Sequence, residues 1–475
     1  MNASKILFVS LFFLVTIGLC EAVETNATDT SSIIEESDTY LADNYGIDEI
    51  LEKLEEELAH FVIFAFCDIT GNIKEIVMPI DQTKDVLQFG LSLSENKLLI
   101  KPDVSTLRFL PWTTDIHRTA WFMCAVHKNQ TESYEADPRA ILAALNNEVT
   151  SLGYAFDVGI ELDFFLLEKN DHGSLVPADQ ANYLESEYNL TKQQEMNLII
   201  HALRDFNIGI EKIDHGIANG QWRITLKNAD VLQIADNTIA CKYALKFLTN
   251  QLRQHITFMP KPFHDKNGNK MLIKYTLFNK TKSNNAFYDK ADPFKLSAIG
   301  RHFLAGNLEK ILETTALFAP TVNSYKNDIH ALQKYNCWSP ISHTTMFNAI
   351  ITEKDEREEK LWLKCKMADC TSNIYLTLAA LLKSGIQGIK KSKSLMSPLD
   401  ESQITNNTPT NEQVNSGNFS VQPADFGSAL TIFEKSDFAK KLLSDVGHTK
   451  FIELKRAEWH EYSSFITDWE FKKYL

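Results

Sequence analysis

The stretch FDVGIELDFFLL, residues Phe156–Leu167, carries the pattern that decides the fold. Successive side chains of a β-strand point to opposite faces. One face therefore receives Asp157, Gly159, Glu161 and Asp163, and the other face is apolar. The sequence predicts a strand that packs one face on a core and carries acidic groups on the other.

Three further segments repeat this alternation, with basic groups on their polar faces. They are Gln221–Leu226, Met271–Phe278 and Leu361–Met367, with Arg223, Lys274, Thr276, Lys364 and Lys366 at polar positions. A sheet with one apolar face under helices and charges of both signs on the other predicts a polar cavity. The alternative is an ordinary solvated sheet face.

Composition and the N-terminus bound the class and the compartment. The 475 residues are 44% hydrophobic and 23% charged, which is typical of a globular protein. The net charge of −14 argues against a nucleic-acid binder. Lys5 precedes a short apolar run, Ile6–Leu19, and Cys20-Glu21-Ala22 suits peptidase cleavage. Residues 1–22 are therefore a predicted signal peptide of a secreted protein, and no later segment reads as a membrane span.

Glycosylation signals agree with this secretory interpretation. Asn-x-Ser/Thr sequons stand at Asn26, Asn129, Asn189, Asn279, Asn406 and Asn418. Several sequons behind a signal peptide predict a glycoprotein. Six of the seven cysteines follow the signal, and this even number permits disulfides but fits buried thiols equally well.

Composition also marks flexible segments. Residues 23–46 are acidic and polar and are predicted to be flexible, and 390–422, rich in Lys and then in Ser, Thr, Asn and Gln, is a predicted loop. Between them, Asp137-Pro138 predicts a helix start, with an oxygen-bearing cap followed by proline in the first turn.

A series of ordered motifs resembles the class I (bacterial-type) glutamine synthetases. Gly159–Leu167 resembles the family's G-x-E-x-E-F-F-L strand, and Thr257–Pro262 is identical to its T-F-M-P-K-P. Four other matches follow in order: Gly220-Gln221 with G-Q-x-E, Asn267-Gly268 and Met271 with N-G-S-G-M-H, Pro320–Lys326 with P-T-V-N-S-Y-K-R, and Asp369–Leu376 with D-x-x-x-N-P-Y-L. With the last helix at Ile466–Leu475, the resemblance covers about Gly46–Leu475.

The resemblance implies an α+β fold and an assembly. Residues 47–130 are expected to form a small β-grasp-like N-terminal domain. Residues 131–475 are expected to form a catalytic-type domain, with a curved antiparallel sheet backed by helices. Family members assemble into rings, which implies a homo-oligomer. The chain also resembles catalytically degenerate members of this superfamily, such as the lens glutamine synthetase-like protein.

The family makes glutamine from glutamate and ammonia with ATP and two divalent ions, Mg²⁺ or Mn²⁺. Of the six metal-ligand positions that the resemblance implies, this chain keeps Glu161 and a shortened carboxylate, Asp163. The other four positions hold Gly216, Arg223, Leu272 and Lys364. Glycine and leucine side chains offer no ligand, and the two basic residues place positive charge at a cation site.

The implied substrate positions are similarly altered. Asn327, His343, Asn348 and Lys366 stand where the family has arginines, Lys97 stands at an ammonium-site aspartate, and Gln333 stands at the flap glutamate. Asn267 and Gly268 remain near the implied glutamate site, with His343 and Lys366 as further substrate-binding candidates. Thr276 remains as the implied nucleotide contact.

Three functional hypotheses follow. The first is a secreted pseudoenzyme with a structural or binding role and no metal or nucleotide cofactor. The second is an active glutamate-ammonia or glutamate-amine ligase with a rebuilt site, which would need Mg²⁺ or Mn²⁺ and ATP. The third is a pocket that binds an amino acid or small anion without turnover. Its candidate cationic groups are His215, Lys274, His343, Lys364 and Lys366.

The persistence of Glu161 and Asp163 suggests a structural reason. Arg223 and Lys364 come from strands whose polar faces point into the same cavity. We therefore predict that these two cations replace the metal ions and pair with the two carboxylates.

Overall fold

The structure is a computed structural model that describes most of the chain after residue 45. The described residues are 46–93, 97–113, 118–181, 183–185, 190–281, 284–327, 335–340, 345–353, 359–399, 404–405, 408–409 and 420–475. The predicted signal, the segment to residue 45 and much of the window 390–422 lie outside them. The same holds for the candidates Gln333 and His343 and for the sequons at Asn26, Asn189, Asn406 and Asn418.

The first part of the chain forms a six-stranded mixed sheet. Its strands are β1 (Phe61–Cys67), β2 (Ile73–Pro79), β3 (Leu91–Leu93), β4 (Leu98–Pro102), β5 (Arg108–Phe109) and β6 (Thr119–His127). The order is β2-β1-β6-β4-β3, with β5 also on β6. β1 and β6 are parallel, and the other pairs are antiparallel.

The rest of the chain is organised by an eleven-stranded sheet, which forms the site. Its strands are β7 (Tyr154–Lys169), β8 (Leu175–Pro177), β9 (Ile210–His215), β10 (Gln221–Leu226), β11 (Ala229–Asp230), β12 (His255–Thr257), β13 (Met271–Asn279), β14 (Asn284–Asn285), β15 (Trp338–Ser339), β16 (Phe347–Glu353) and β17 (Glu359–Cys365). The main path is β15-β16-β17-β13-β7-β10-β9. All its neighbours are antiparallel except β15 and β16. A separate pair, β18 (Ile404–Thr405) and β19 (Thr408–Pro409), lies in the predicted loop window.

Helices are the other component of the fold, and together with the two sheets they confirm the predicted α+β class. They are α1 (Ile47–Glu56), α2 (Thr83–Phe89), α3 (Pro138–Ser151), α4 (Leu190–Asp205), α5 (Val231–Gln251), α6 (Ala298–Lys310), α7 (Thr315–Phe318), α8 (Ile374–Lys390), α9 (Phe426–Lys435), α10 (Asp437–Ser464) and α11 (Asp468–Tyr474). Short 3₁₀ turns lie at Ile80–Gln82, Val104–Thr106, Leu312–Thr314 and Val322–Lys326. α3 begins as predicted: the Asp137 side chain accepts from the Arg139 amide, and Gly153 follows the helix with φ +86°.

The helices pack on the apolar face of the large sheet. Phe156 of β7 and Tyr275 of β13 contact Phe303 of α6, with ring centroids 5.8 and 5.7 Å apart. All three side chains are fully buried and belong to a continuous hydrophobic core. This burial holds β7 and β13 in register, so the polar side chains of the same strands are fixed on the opposite face.

A buried ionic cluster joins three helices and the connection after β4. Arg139 of α3 donates from Nε and Nη2 to the Asp236 carboxylate of α5, at 3.0 and 2.8 Å, and from Nη2 to Asp103 at 2.7 Å. The Tyr375 hydroxyl of α8 donates to Asp236 at 2.6 Å. The Arg139 and Asp236 side chains are only 7% and 1% exposed. Charges so buried require these partners.

Several peripheral features bear on the predicted compartment. All six described cysteines are buried, unpaired thiols. Asn129 is exposed on the turn after β6, and Asn279 is partly exposed at the end of β13. None of the described helices has the length and hydrophobicity needed to cross a membrane.

Candidate functional site

The register of four strands brings the predicted charged groups onto one face of the large sheet. On β10, Arg223 lies directly opposite Asp163 and Thr225 opposite Glu161. On the other side of β7, Leu272 of β13 lies opposite Glu161. Lys364 of β17 lies directly opposite Lys274 of β13 in the strand register. Directly opposite residues of antiparallel strands share a face, so the polar face predicted from the alternation is confirmed.

Asp163 and Arg223 form a two-point ion pair on this face. Arg223 Nε donates to Oδ1 at 2.6 Å, and Nη2 donates to Oδ2 at 3.2 Å. The main-chain amide of Lys270 adds a third hydrogen bond to Oδ2 at 3.3 Å. Burial lowers the pKa of Arg223, but the hydrogen bond and charge of Asp163 outweigh it and raise that pKa above its ordinary value. Arg223 therefore stays charged, and both oxygens of Asp163 are engaged.

Glu161 pairs with the second predicted cation. Lys364 Nζ donates to its Oε1 at 3.0 Å, and Arg223 Nη1 lies 3.9 Å from its Oε2. Burial raises the pKa of Glu161, but the charge and hydrogen bond of Lys364, followed by the charge of Arg223, outweigh it and lower that pKa. The predicted pairing of two carboxylates with two cations is confirmed.

The residues around this cluster do not fit a pair of divalent ions. Leu272 is 8% exposed and offers no donor atom. A Cβ atom at Gly216 would lie 2.7 Å from the Gln221 side chain, so a residue larger than glycine would fit there only if Gln221 moved. Within the described ranges, no three His, Cys, Asp or Glu side chains are arranged to hold a metal. Both oxygens of Asp163 are bonded to Arg223 and Oε1 of Glu161 to Lys364, and the charges of these two side chains oppose a cation.

Several predicted substrate residues have structural partners. Gly268 is buried, and a Cβ there would meet Pro260 O at 2.3 Å. The fully buried Thr276 hydroxyl donates to Leu361 O at 2.8 Å and accepts from Asn285 at 3.0 Å. Asn267 is exposed, and Lys366 is 9% exposed just after β17. Their implied roles in substrate and nucleotide binding stay predictions.

Two of the positions at which the resemblance implies arginines also serve the fold. Asn327 donates to the carbonyls of Pro260 and Asn269, at 3.0 and 2.8 Å. Asn348 donates to Ser339 O at 2.9 Å and thereby links β16 to β15. Each side chain is less than a tenth exposed. Both positions are therefore occupied by hydrogen bonds within the chain.

His215, a candidate for positive charge in the third hypothesis, lies away from the polar face of the sheet. His215 lies opposite Trp222 in the sheet register, on the apolar face, and its ring contacts the indole at 5.0 Å. Nδ1 lies 3.0 Å from Gly216 O, and Nε2 lies 3.0 Å from Asp179 Oδ1. Both partners are acceptors, which fits a doubly protonated ring. Alternation alone did not show that a charged residue would be buried among apolar neighbours beside Asp179.

We expect the contribution of the His215–Asp179 pair to stability to decline as the pH rises. Burial lowers the pKa of His215, but Asp179 outweighs it and raises the pKa above its ordinary value. The contribution is therefore complete below the unfolded-state pKa of about 6.5 and is lost as the pH rises through the folded-state pKa. Urea unfolding should show that His215→Gln destabilises more at about pH 6 than at about pH 9. His172 is exposed, so His172→Gln is the control. A destabilisation by His215→Gln that does not change with pH would contradict this prediction.

Two residues that the charge pattern did not single out also belong to the site. Lys270 stands at the second glycine of the N-G-S-G-M-H motif and is half-buried beside Asp163. Burial is the main cause of its lowered pKa; the charge of Asp163 opposes this shift, and the charges of Arg223 and Lys364 add to it. The buried hydroxyl of Thr225 has no hydrogen-bond partner among the described residues. The departure from glycine at residue 270 was visible in the motif and would have identified the lysine.

Comparison with known proteins identifies the family. Residues 135–474 match the family model described as glutamine synthetase, catalytic domain. The chain therefore belongs to the glutamine synthetase family. The predicted resemblance and the curved sheet backed by helices are both confirmed.

Relatives match over nearly their whole length. The glutamine synthetase of Thermotoga maritima is 30% identical over 445 residues, which are 90% of this chain and 99% of the relative. That of Methanocaldococcus jannaschii is 30% identical over 455 residues, 90% and 98% of the two chains. A solved structure described as apo GmaS without ligand has a TM-score of 0.77 and 25% sequence identity. The match covers 90% of this chain and 99% of that chain. The structure of Plasmodium falciparum glutamine synthetase has a TM-score of 0.79 and 21% identity, and the match covers 91% of this chain and 99% of that chain. At this identity the similarity supports the fold alone.

Proposed function

We propose that this protein is a secreted pseudoenzyme of the glutamine synthetase family, which keeps the fold and serves a structural or binding role without ATP-dependent ligation. The observation that carries the proposal is the ion-paired cluster of Glu161 with Lys364 and Asp163 with Arg223. Phosphoryl transfer in this family depends on divalent ions that bridge and neutralise phosphate oxygens. Here the two surviving carboxylates are already neutralised by side chains of the same chain.

The energetics favour the side-chain pairs over metal ions at this position. A divalent ion would have to displace Arg223 from both oxygens of Asp163 and Lys364 from Glu161. The displaced cations would then lie beside the ion without compensation, and a charge left unpaired in a partly buried site is costly. Leu272 and Gly216 supply no replacement ligands. The cluster therefore supports the pseudoenzyme over a ligase with a rebuilt site.

We expect purified full-length protein to form no glutamine above background from glutamate, ammonium and ATP with Mg²⁺ or Mn²⁺. The loss of several cooperating groups typically costs orders of magnitude in rate. Titration calorimetry with Mn²⁺ should show no saturable site that depends on Glu161.

The control for this experiment is an active family member, such as the Thermotoga maritima glutamine synthetase, assayed in parallel. Metal-dependent turnover that disappears in Asp163→Ala, or a tight Mn²⁺ site that disappears in Glu161→Ala, would contradict the pseudoenzyme and favour the active ligase.

Secretion and assembly complete the proposal. The predicted signal peptide at 1–22, and the exposure of Asn129 on a turn, support a glycosylated secreted form. Family membership supports a homo-oligomeric ring. Expression in a eukaryotic secretory host tests both: the medium should contain protein cleaved after Ala22, with glycosidase-sensitive mass, and light scattering should give a multiple of the chain mass.

A further inference from the structure

The cluster on the polar face contains more positive than negative charge. We call it the cationic basin: Glu161, Asp163, Arg223, Thr225, Lys270 and Lys364. Its charged members are three cations and two carboxylates, so the basin carries a net charge of +1. The neighbouring ion pairs on this side of the sheet, Lys212 with Asp214 and Lys274 with Glu211, are each neutral and do not change this balance.

The surplus charge belongs to Lys270. Among the described residues, no carboxylate lies within ion-pair distance of its ammonium group, and its only hydrogen bond to the basin comes from the main-chain amide. The side chain is half-buried, so solvent compensates its charge less well than at the surface. The charges of Asp163 and Glu161 attract its ammonium group, and those of Arg223 and Lys364 repel it. A bound anion would add an attractive partner for this half-buried cation.

Hydrogen-bond donors are also in surplus. Arg223 uses Nε and Nη2 on Asp163, but Nη1 lies 3.9 Å from the nearest Glu161 oxygen, beyond hydrogen-bond distance. Lys364 uses one of its three hydrogens, on Glu161. Thr225 is 2% exposed and lies in register with Glu161, and in the described part of the chain its hydroxyl has no hydrogen-bond partner. A buried polar group without a partner is uncommon and points to a missing one.

We propose that the cationic basin binds a small oxyanion of the inorganic phosphate class, without any metal ion. The proposal rests on the proposed function, because the basin accepts an anion only if metal ions do not occupy it. The deprotonated oxygens of phosphate accept hydrogen bonds, which matches the hydrogens of Arg223, Lys270 and Lys364 that no described residue accepts. Charge-assisted bonds of this kind are among the stronger hydrogen bonds in proteins, and arginine and lysine are the usual residues that form them.

Lys270→Gln is the decisive variant, because the Lys270 side chain makes no ion pair with any described residue, so its loss leaves none of them uncompensated. In phosphate-free buffer with EDTA, we expect this variant to melt close to the wild-type temperature for the same reason. Adding inorganic phosphate at constant ionic strength should raise the melting temperature of the wild type saturably. In Lys270→Gln, phosphate binding measured by calorimetry should be weaker on the order of tenfold.

Two further variants separate binding from folding and charge. Thr225→Val removes the unpartnered hydroxyl at almost constant volume, so it should weaken phosphate binding without lowering the melting temperature in phosphate-free buffer. Lys440→Gln is the charge-matched control, since Lys440 is 56% exposed and pairs with Asp445 on α10, outside the basin. It should bind phosphate like the wild type.

The outcomes distinguish this proposal from the pseudoenzyme proposal. No phosphate effect on the wild type, or an equal effect in Lys270→Gln, would overturn the oxyanion site and leave the pseudoenzyme intact. Saturable binding of glutamate or ATP but not phosphate would overturn the assignment of the ligand class. Binding that appears only with Mn²⁺ would overturn both proposals, because it would show that the metal site survives.

Discussion

Replacing Arg139 by methionine is expected to lower the free energy of unfolding by about 3–5 kcal/mol, because it leaves Asp236 as a buried, uncompensated carboxylate. Arg139 supplies three of the hydrogen bonds to that carboxylate, and the Asp236 side chain is 1% exposed. Among the described residues, only the Tyr375 hydroxyl would remain as its partner. Chemical denaturation followed by fluorescence and circular dichroism measures the change.

A surface ion pair provides the control for this experiment. Arg456 contacts Glu434 at 2.8 Å, but the two side chains are 34% and 50% exposed. Arg456→Met should therefore cost no more than about 1 kcal/mol. If Arg139→Met were no more destabilising than Arg456→Met, the buried cluster would not hold α3, α5 and α8 together in the way that its geometry indicates.

Arg223→Met is expected to be comparably destabilising, at about 3–5 kcal/mol, because Asp163 would lose its two-point partner while the carboxylate side chain is 3% exposed. Glu161→Ala should cost less than Arg223→Met, since Glu161 and Lys364 are 18% and 20% exposed and solvent screens the unpaired lysine. The measurement is again the free energy of unfolding, with and without EDTA. Chelator should not change the wild-type value.

A double-mutant cycle tests whether the pair itself is responsible. Asp163→Asn and Arg223→Met should each destabilise, and the double variant should lose less than the sum of the two. The matched cycle on Lys274 and Glu211, which are 3.5 Å apart with Glu211 half-exposed, should show little coupling. Additive effects at Asp163 and Arg223, or a chelator that destabilises the wild type, would indicate that a metal ion compensates the carboxylates.

The identity of the fold was accessible from the sequence at particular segments. The alternation in Phe156–Leu167 and Gln221–Leu226 predicted strands β7 and β10 and the face that each presents, because a one-residue change of register would bury charges in the core. Asp137-Pro138 predicted the start of α3 for an equally local reason, since a cap depends on neighbouring residues only. The ordered motifs identified the family. At the site, they located Glu161, Asp163, Arg223 and Lys364 before any distance was known.

The tertiary structure decided what those residues do. The sequence could indicate that His215 and Lys270 lie near the site. It could not show on which face their side chains lie or whether an ion-pair partner is present. His215 is buried against Trp222 and Asp179, whereas Lys270, near Arg223, has no ion pair within the described ranges. Partners such as Arg139 and Asp236, or Glu161 and Lys364, are 97 and 203 residues apart in the chain. Local sequence determines strand and helix periodicity, but charge compensation depends on side chains that only the packing of distant elements brings within a few ångströms.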